Sequence, residues 1–186
     1  MSDKVLPKKI IEIFKNLEGL ILDCDGVLTP GDLYFSKNGA ELLRFHSLDG
    51  FGLAMLIKSG VKVAVLSGRS TTIAEARLRE IGVEHFSGSS LHKRSGFLEL
   101  CEKMNLNPKH VAYMGDDLPD LGAFAVAAVA ISVPNGHEEA QKRADVVTNE
   151  SGGRGAVREV CDAIVKAKGL WNQWLERVTQ EQLQTK

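Results

Sequence analysis

The sequence is short of what would make it a nucleic-acid binder, a membrane protein or a disulfide-stapled secreted one. It has no basic excess: 23 lysines and arginines stand against 24 acidic residues, a formal net charge of -1. No positive surplus therefore exists to neutralise a phosphate backbone. Its three cysteines, Cys24, Cys101 and Cys161, lie far apart and form no CxxC pair, which fits a reducing compartment. No window approaches the roughly 20 apolar residues of a membrane helix. The opening MSDKVLPKKIIEIFKNL alternates charge with apolar residues, where a secretion signal needs an unbroken apolar run. The five histidines show no metal-ligand spacing, and Gly152-Gly153-Arg154-Gly155 lacks the GxGxxG context of a dinucleotide site. Internal repeats, low-complexity tracts and linkers are absent too. The expectation is a cytoplasmic protein with neither a nucleic-acid nor a membrane partner.

What is present is an ordinary globular composition. Of 186 residues, 44% are apolar and 25% charged, close to soluble averages. The length suits a single domain over 1–186, which buries roughly two-thirds of its unfolded surface without help from a disulfide or metal.

Short apolar runs alternate with helical patterns. Gly19-Leu20-Ile21-Leu22 ends at Asp23, Val61 to Leu66 ends at Ser67, and His110 to Met114 ends at Gly115-Asp116. Each reads as a buried strand. Weaker strands are expected at 84–86, 129–133 and 145–148. Helices are expected over about 7–17, 49–59, 70–81, 93–105, 118–126, 136–142 and 154–167, with a helical tail over about 168–180. On that tail Leu170, Trp171, Trp174, Leu175 and Val178 form one stripe. The segment 32–45, with Asn38-Gly39 between two apolar stretches, reads as a β-hairpin. The alternation predicts an α/β fold, a doubly wound parallel sheet with helices on both faces. Ligands bind such sheets beyond the carboxyl ends of the strands, where Asp23, Ser67 and Asp116 all stand.

Four clusters carry chemistry. Asp23-Cys24-Asp25-Gly26 follows the first strand, so two carboxylates in a glycine turn can reach one small site, one attacking phosphorus while the other handles protons. Gly115-Asp116-Asp117-Leu118-Pro119-Asp120 brings acidic groups from another strand end, and carboxylates of two strands can share a hard cation. Ser67-Gly68-Arg69 offers a hydroxyl and backbone N–H groups to phosphoryl oxygens. Lys93, near a helix start, can balance a carboxylate nucleophile and phosphoryl charge. Taken singly, each has a plainer explanation. The aspartates could cap turns or helices, and Lys93 could be a solvated surface lysine, with Lys62, Arg94 and Lys103 as alternatives. Arg69 could be only a surface or interface residue.

Taken together, DxD, then Ser, then Lys, then GDDxxD, separated by 44, 26 and 23 residues, resemble the haloacid dehalogenase superfamily. The four motifs span residues 23–120, and the wider likeness runs to about 178. The resemblance implies a Rossmann-like core and roles residue by residue. Asp23 would be the nucleophile and a magnesium ligand. Asp25 would protonate the leaving oxygen and then activate water, its backbone carbonyl also binding Mg2+. Asp116 would complete the protein's metal ligands, with Asp117 and Asp120 in support. Ser67, Gly68 and Lys93 would hold the phosphoryl group. An aspartate at the position of Asp25 is what the superfamily's phosphatases carry, rather than its dehalogenases.

No insertion of domain size follows Asp25 or precedes Lys93, so the chain looks like the capless branch. Within it, DGVLT at 25–29, LDGFGLAML at 48–56, SGRS at 67–70, VAYMGDDLPDL at 111–121 and GGRGAVREV at 152–160 resemble the 3-deoxy-D-manno-octulosonate 8-phosphate (KDO 8-phosphate) phosphatases. That likeness implies a small phosphorylated sugar-acid substrate from lipopolysaccharide precursor synthesis, and a homotetramer in which a neighbour's hairpin closes each site. It also implies a substrate role for Arg69, because relatives acting on nine-carbon sialic-type acids tend to carry an acidic residue there. There are departures. Ser47-Leu48-Asp49-Gly50 replaces the usual Val-Arg-Asp-Gly, the stretch 88–92 looks one residue longer, and Asp32 follows Pro30-Gly31. Three readings stand beside the leading one. The first is a phosphatase for a sialic-type 9-phosphate or another small phosphate. The others are a phospho-acceptor signalling domain and a scaffold without catalysis.

Overall fold

Six parallel strands form the centre of the protein in a computed structural model that describes residues 6–37, 41–69, 72–88 and 92–184. The elements in chain order are α1 (Lys8–Asn16), β1 (Gly19–Leu22), β2 (Tyr34–Phe35), β3 (Glu41–Leu42), α2 (Ser47–Lys58), β4 (Lys62–Leu66), α3 (Thr72–Ile81) and β5 (His85–Ser87). There follow α4 (Lys93–Lys103), β6 (Val111–Met114), α5 (Leu121–Phe124), β7 (Val129–Ser132), α6 (Glu138–Arg143), β8 (Val146–Val147), α7 (Ala156–Ala167) and α8 (Trp171–Gln184).

The strand order is β5-β4-β1-β6-β7-β8. Winding therefore runs outward one way from β1 through β4 to β5, then returns to β6 and runs the other way. The reversal falls between β1 and β6, the crevice where doubly wound sheets bind ligands. Register there is in step, with Leu22 opposite both Val65 of β4 and Met114 of β6. The carboxyl ends of the three central strands thus end level.

Side chains alternate across the sheet as the two-residue period demands. Leu20, Leu22, Val63, Val65, Ala112 and Met114 face α1, α2, α3 and α7. Ile21, Ala64, Leu66, Val111, Tyr113 and Ala130 face α4, α5 and α6. Both faces are covered, so β1 and β6 are apolar throughout, and Leu20, Ile21 and Leu22 are fully buried. Burying each such side chain stabilises the fold by about 1.5–3 kcal/mol. All three cysteines are buried free thiols within these layers.

The local elements depart from the sequence reading in three places. Instead of a helix over 118–126, Leu118–Asp120 forms a tight 3-10 turn and α5 is a single helical turn. The cause is a reciprocal cap between Asp117 and Asp120, with Pro119 inside the turn. The hairpin strands hold two residues each, pairing Tyr34 with Leu42, and the Asn38-Gly39 turn lies outside the described residues. The tail helix extends to Gln184. Trp171 and Trp174 pack on the core while Leu175 stands half exposed, off the packing stripe. Trp174 Nε1 donates to Ser59 Oγ at 2.8 Å, tying α8 to the end of α2.

Candidate active site

Backbone hydrogen bonds beyond the last residue of each strand hold the key positions. Asp23 N–H donates to the Met114 carbonyl at 2.8 Å, Gly115 N–H to Ile131 at 3.0 Å, and Ser67 N–H to Ser87 at 2.8 Å. The sheet ladder thus continues one step into the loops. It aims Asp23, Ser67 and the start of the Asp116 loop at the same crevice with little backbone freedom.

Lys93 reaches this crevice from the first turn of α4 and is 3% exposed. Its Nζ donates to the Leu66 carbonyl at 2.6 Å, lies 2.9 Å from Asp23 Oδ1, and stands 3.6 Å from Asp120 Oδ1. The ammonium is therefore locked between β4, the nucleophile candidate and the acidic loop. Lys62, one of the alternatives, instead donates to the Met104 carbonyl.

Among the described residues, one group of carboxylates can surround a metal ion. Asp23, Asp116 and Asp120 each offer an oxygen within 4.8 Å of the others. Asp120, expected in support, is itself a member of the acidic cluster. It is fully buried and accepts from Tyr113 Oη at 2.7 Å and from the N–H groups of Asp116 and Asp117 at 2.9 and 3.0 Å. Asp117 accepts from Leu118 N–H and is exposed, so it shapes the turn rather than the crevice. The Asp25 carboxylate stands outside the cluster, gripped by Arg69 with Nε–Oδ2 at 2.9 Å and Nη2–Oδ1 at 3.3 Å. Ser67 is buried, and its Oγ accepts from Arg69 N–H. Gly68 lies between them in the turn that follows β4.

Three carboxylates share one lysine, which leaves an uncompensated negative charge in a half-dry crevice. Asp116 is pushed up to about 8, first by burial and then by the charges of Asp23, Asp120 and Asp117. Asp23 is raised to about 6 by burial and by Asp120, while Lys93 opposes the rise. Carboxylates this reluctant to ionise beside one another suit a hard divalent cation, which prefers oxygen ligands and neutralises them together.

Three residues that sequence patterns did not single out for function brace the segments around the site. Asn135 Nδ2 donates to the Gly26 carbonyl at 3.1 Å, and its Oδ1 accepts from Gly152 N–H at 2.7 Å. One amide thereby clamps the Asp23 loop to the segment before α7, and its place just after β7 was the available signal. Asp49, 1% exposed, accepts from Gly155 N–H and Arg158 N–H and so caps α7. Tyr113 was also missed; its signal was a lone hydroxyl in an otherwise apolar strand. Gly26 has φ +85°, and a Cβ there would run into Asp116 Oδ2, so only glycine lets the two acidic loops meet.

A doubly wound sheet with a nucleophile candidate after its first strand and an acidic, lysine-balanced crevice at its switch point defines the class of haloacid dehalogenase-like α/β hydrolases. Residues 52–128 match the family model described as haloacid dehalogenase-like hydrolase. The KDO 8-phosphate phosphatase KdsC of Escherichia coli K12 is 39% identical over 160 residues, covering 86% of this chain and 85% of that protein. KdsC of Salmonella typhi is 40% identical over 155 residues, covering 83% and 82%. A crystal structure of the Moraxella catarrhalis KDO 8-phosphate phosphatase, in complex with magnesium, phosphate and KDO, superposes with TM-score 0.89 at 36% identity. It covers 91% of this chain and 98% of that one. The chain belongs to the haloacid dehalogenase-like hydrolases and, among them, to the family of the KDO 8-phosphate phosphatases.

Proposed function

We propose that this protein is a magnesium-dependent phosphomonoesterase that converts KDO 8-phosphate to KDO and phosphate through a phospho-aspartate on Asp23. The observation that carries the reading is the Asp23 carboxylate held 2.9 Å from a buried lysine, beside Asp116 and Asp120, in a chain of this family. Asp23 attacks phosphorus and Asp25 protonates the leaving sugar oxygen. Asp25 then removes a proton from the water that cleaves the phospho-aspartate. Ser67, the Gly68 N–H and Lys93 bind the phosphoryl oxygens; Asp117 and Asp120 order the acidic loop, and Arg69 contacts the sugar acid. Asp23, Asp116 and, as the family likeness implies, the Asp25 carbonyl would hold Mg2+, with Asp120 close enough to assist. When bound, the ion offsets repulsion between these carboxylates and the phosphate.

The whole chain acts as one catalytic domain in the cytoplasm. Among the described residues no helix is long and apolar enough to cross a membrane. Its hairpin exposes Tyr34, Phe35 and Leu42, an apolar cost at a free surface. That supports a homotetramer in which a neighbour covers the hairpin, and a solution mass of one chain would count against it. The catalytic test is phosphate release with magnesium from KDO 8-phosphate, a sialic-type 9-phosphate and an aryl phosphate, repeated with Asp23→Asn. Preference for the KDO ester that disappears in the variant is expected. Activity surviving the substitution would remove Asp23 as nucleophile, and preference for the 9-phosphate would replace the substrate.

A further inference from the structure

Arg69 and Asp25 come from different strand ends, 44 residues apart, yet they form a two-point ion pair. Both oxygens of Asp25 are occupied by guanidinium donors. Each oxygen keeps a further lone pair, but the two-point grip fixes where the side chain points, outside the Asp23 cluster, and the work assigned to it above needs it turned toward the phosphoryl site. The pair is also reachable, with side chains 32% and 27% exposed. Its backbone is fixed because Arg69 N–H donates to Ser67 Oγ within the phosphate-binding turn. A guanidinium fork matches any carboxylate equally well. A sugar acid brings a carboxylate of its own, so one partner can be traded for another at little cost.

We propose that the Arg69–Asp25 pair is a latch opened by the substrate. The carboxylate of the sugar acid takes the guanidinium, and Asp25 is released toward the phosphoryl site. Arg69 is thereby a positioning residue for Asp25 as well as a binding residue, and phosphate esters without a carboxylate meet an engaged Asp25. Selectivity then shows in kcat and not only in KM. This inference rests on the phosphatase reading.

The test compares wild type with Arg69→Gln on two esters whose leaving groups are both alkoxides needing a proton, KDO 8-phosphate and glucose 6-phosphate. It determines kcat and KM separately with saturating magnesium. In the variant, kcat/KM for the KDO ester should fall about tenfold or more, as expected for loss of a charged hydrogen-bonded contact. On glucose 6-phosphate kcat should rise roughly two- to fivefold, the worth of an accessible ion pair. Adding Arg69→Gln to Asp25→Asn should produce no rise. Should Arg69→Gln fold poorly, Arg69→Lys, which keeps the charge without the fork, must fall between wild type and Arg69→Gln on both esters. An unchanged or reduced kcat on glucose 6-phosphate would overturn the latch and leave Arg69 a binding residue only. No turnover of either ester by wild type would instead sink the phosphatase reading, and the latch with it.

Discussion

Removing the charge of Asp116 should make the metal-free protein more stable near pH 8 and deaf to magnesium. Asp23, Asp116 and Asp120 carry oxygens within 4.8 Å of one another. At that separation each like-charged pair costs roughly 3 kcal/mol at an effective dielectric near 20. Lys93 offsets part of this from the Asp23 side. Because the folded-state values of Asp116 and Asp23 lie above the ordinary carboxylate range, the fold favours their protonated forms. Their contribution to stability is fully present below about pH 4 and is lost as pH rises through about 6 for Asp23 and about 8 for Asp116. For Asp116 the loss is on the order of 3–5 kcal/mol after allowing for coupling among the groups. In a chain of this size that corresponds to roughly 10 °C in Tm. The assay is thermal unfolding from about pH 5 to about pH 9, with chelator or with excess magnesium. Wild-type Tm without metal should fall across the range, and the gain on adding magnesium should grow with pH. Asp116→Asn should flatten both trends. A magnesium effect independent of pH, or a variant that responds to magnesium as strongly as wild type, would refute the charge argument.

Two further substitutions test the crevice. Lys93→Met should cost about 3–5 kcal/mol without metal, because it leaves buried carboxylates with no cation; a denaturant midpoint unchanged from wild type would show that the lysine does not neutralise them. Gly26→Ala should abolish magnesium-induced stabilisation and lower Tm. A left-handed alanine costs about 1–2 kcal/mol, and its Cβ would displace the Asp116 carboxylate; retained metal response, read by the same melts, would contradict this.

How much was legible beforehand follows from which interactions are local. A strand buried on both faces must be apolar where it is covered, so β1 and β6, and β4 after its exposed Lys62, were visible as runs, and the residue after each stands at the carboxyl end of the sheet. Asp23 and Ser67 stand directly after β1 and β4, and Asp116 one residue further on, after Gly115. The helix expected over 118–126 failed because helical periodicity does not register a reciprocal cap between Asp117 and Asp120 that tightens the first turn. Asn135 and Asp49 escaped because each acts on a segment remote in sequence. Asn135 bridges Gly26 and Gly152, and Asp49 caps a helix that begins more than one hundred residues later. Asn135 and Gly26 lie 109 residues apart and Asp49 and Gly155 106, too far for any local pattern to join them.

The residues alone determined the α/β alternation, the polar residues at the strand ends and the acidic character of the candidate site, since these depend on composition, period and turn residues within a few positions. The tertiary structure decided the partnerships. It set Lys93 rather than Lys62 against Asp23, drew Asp120 into the carboxylate cluster, and paired Asp25 with Arg69. Those outcomes depend on strand order and on the in-step register of β4, β1 and β6. Charge interactions fall with distance through space, and the order in which the strands assemble sets those distances.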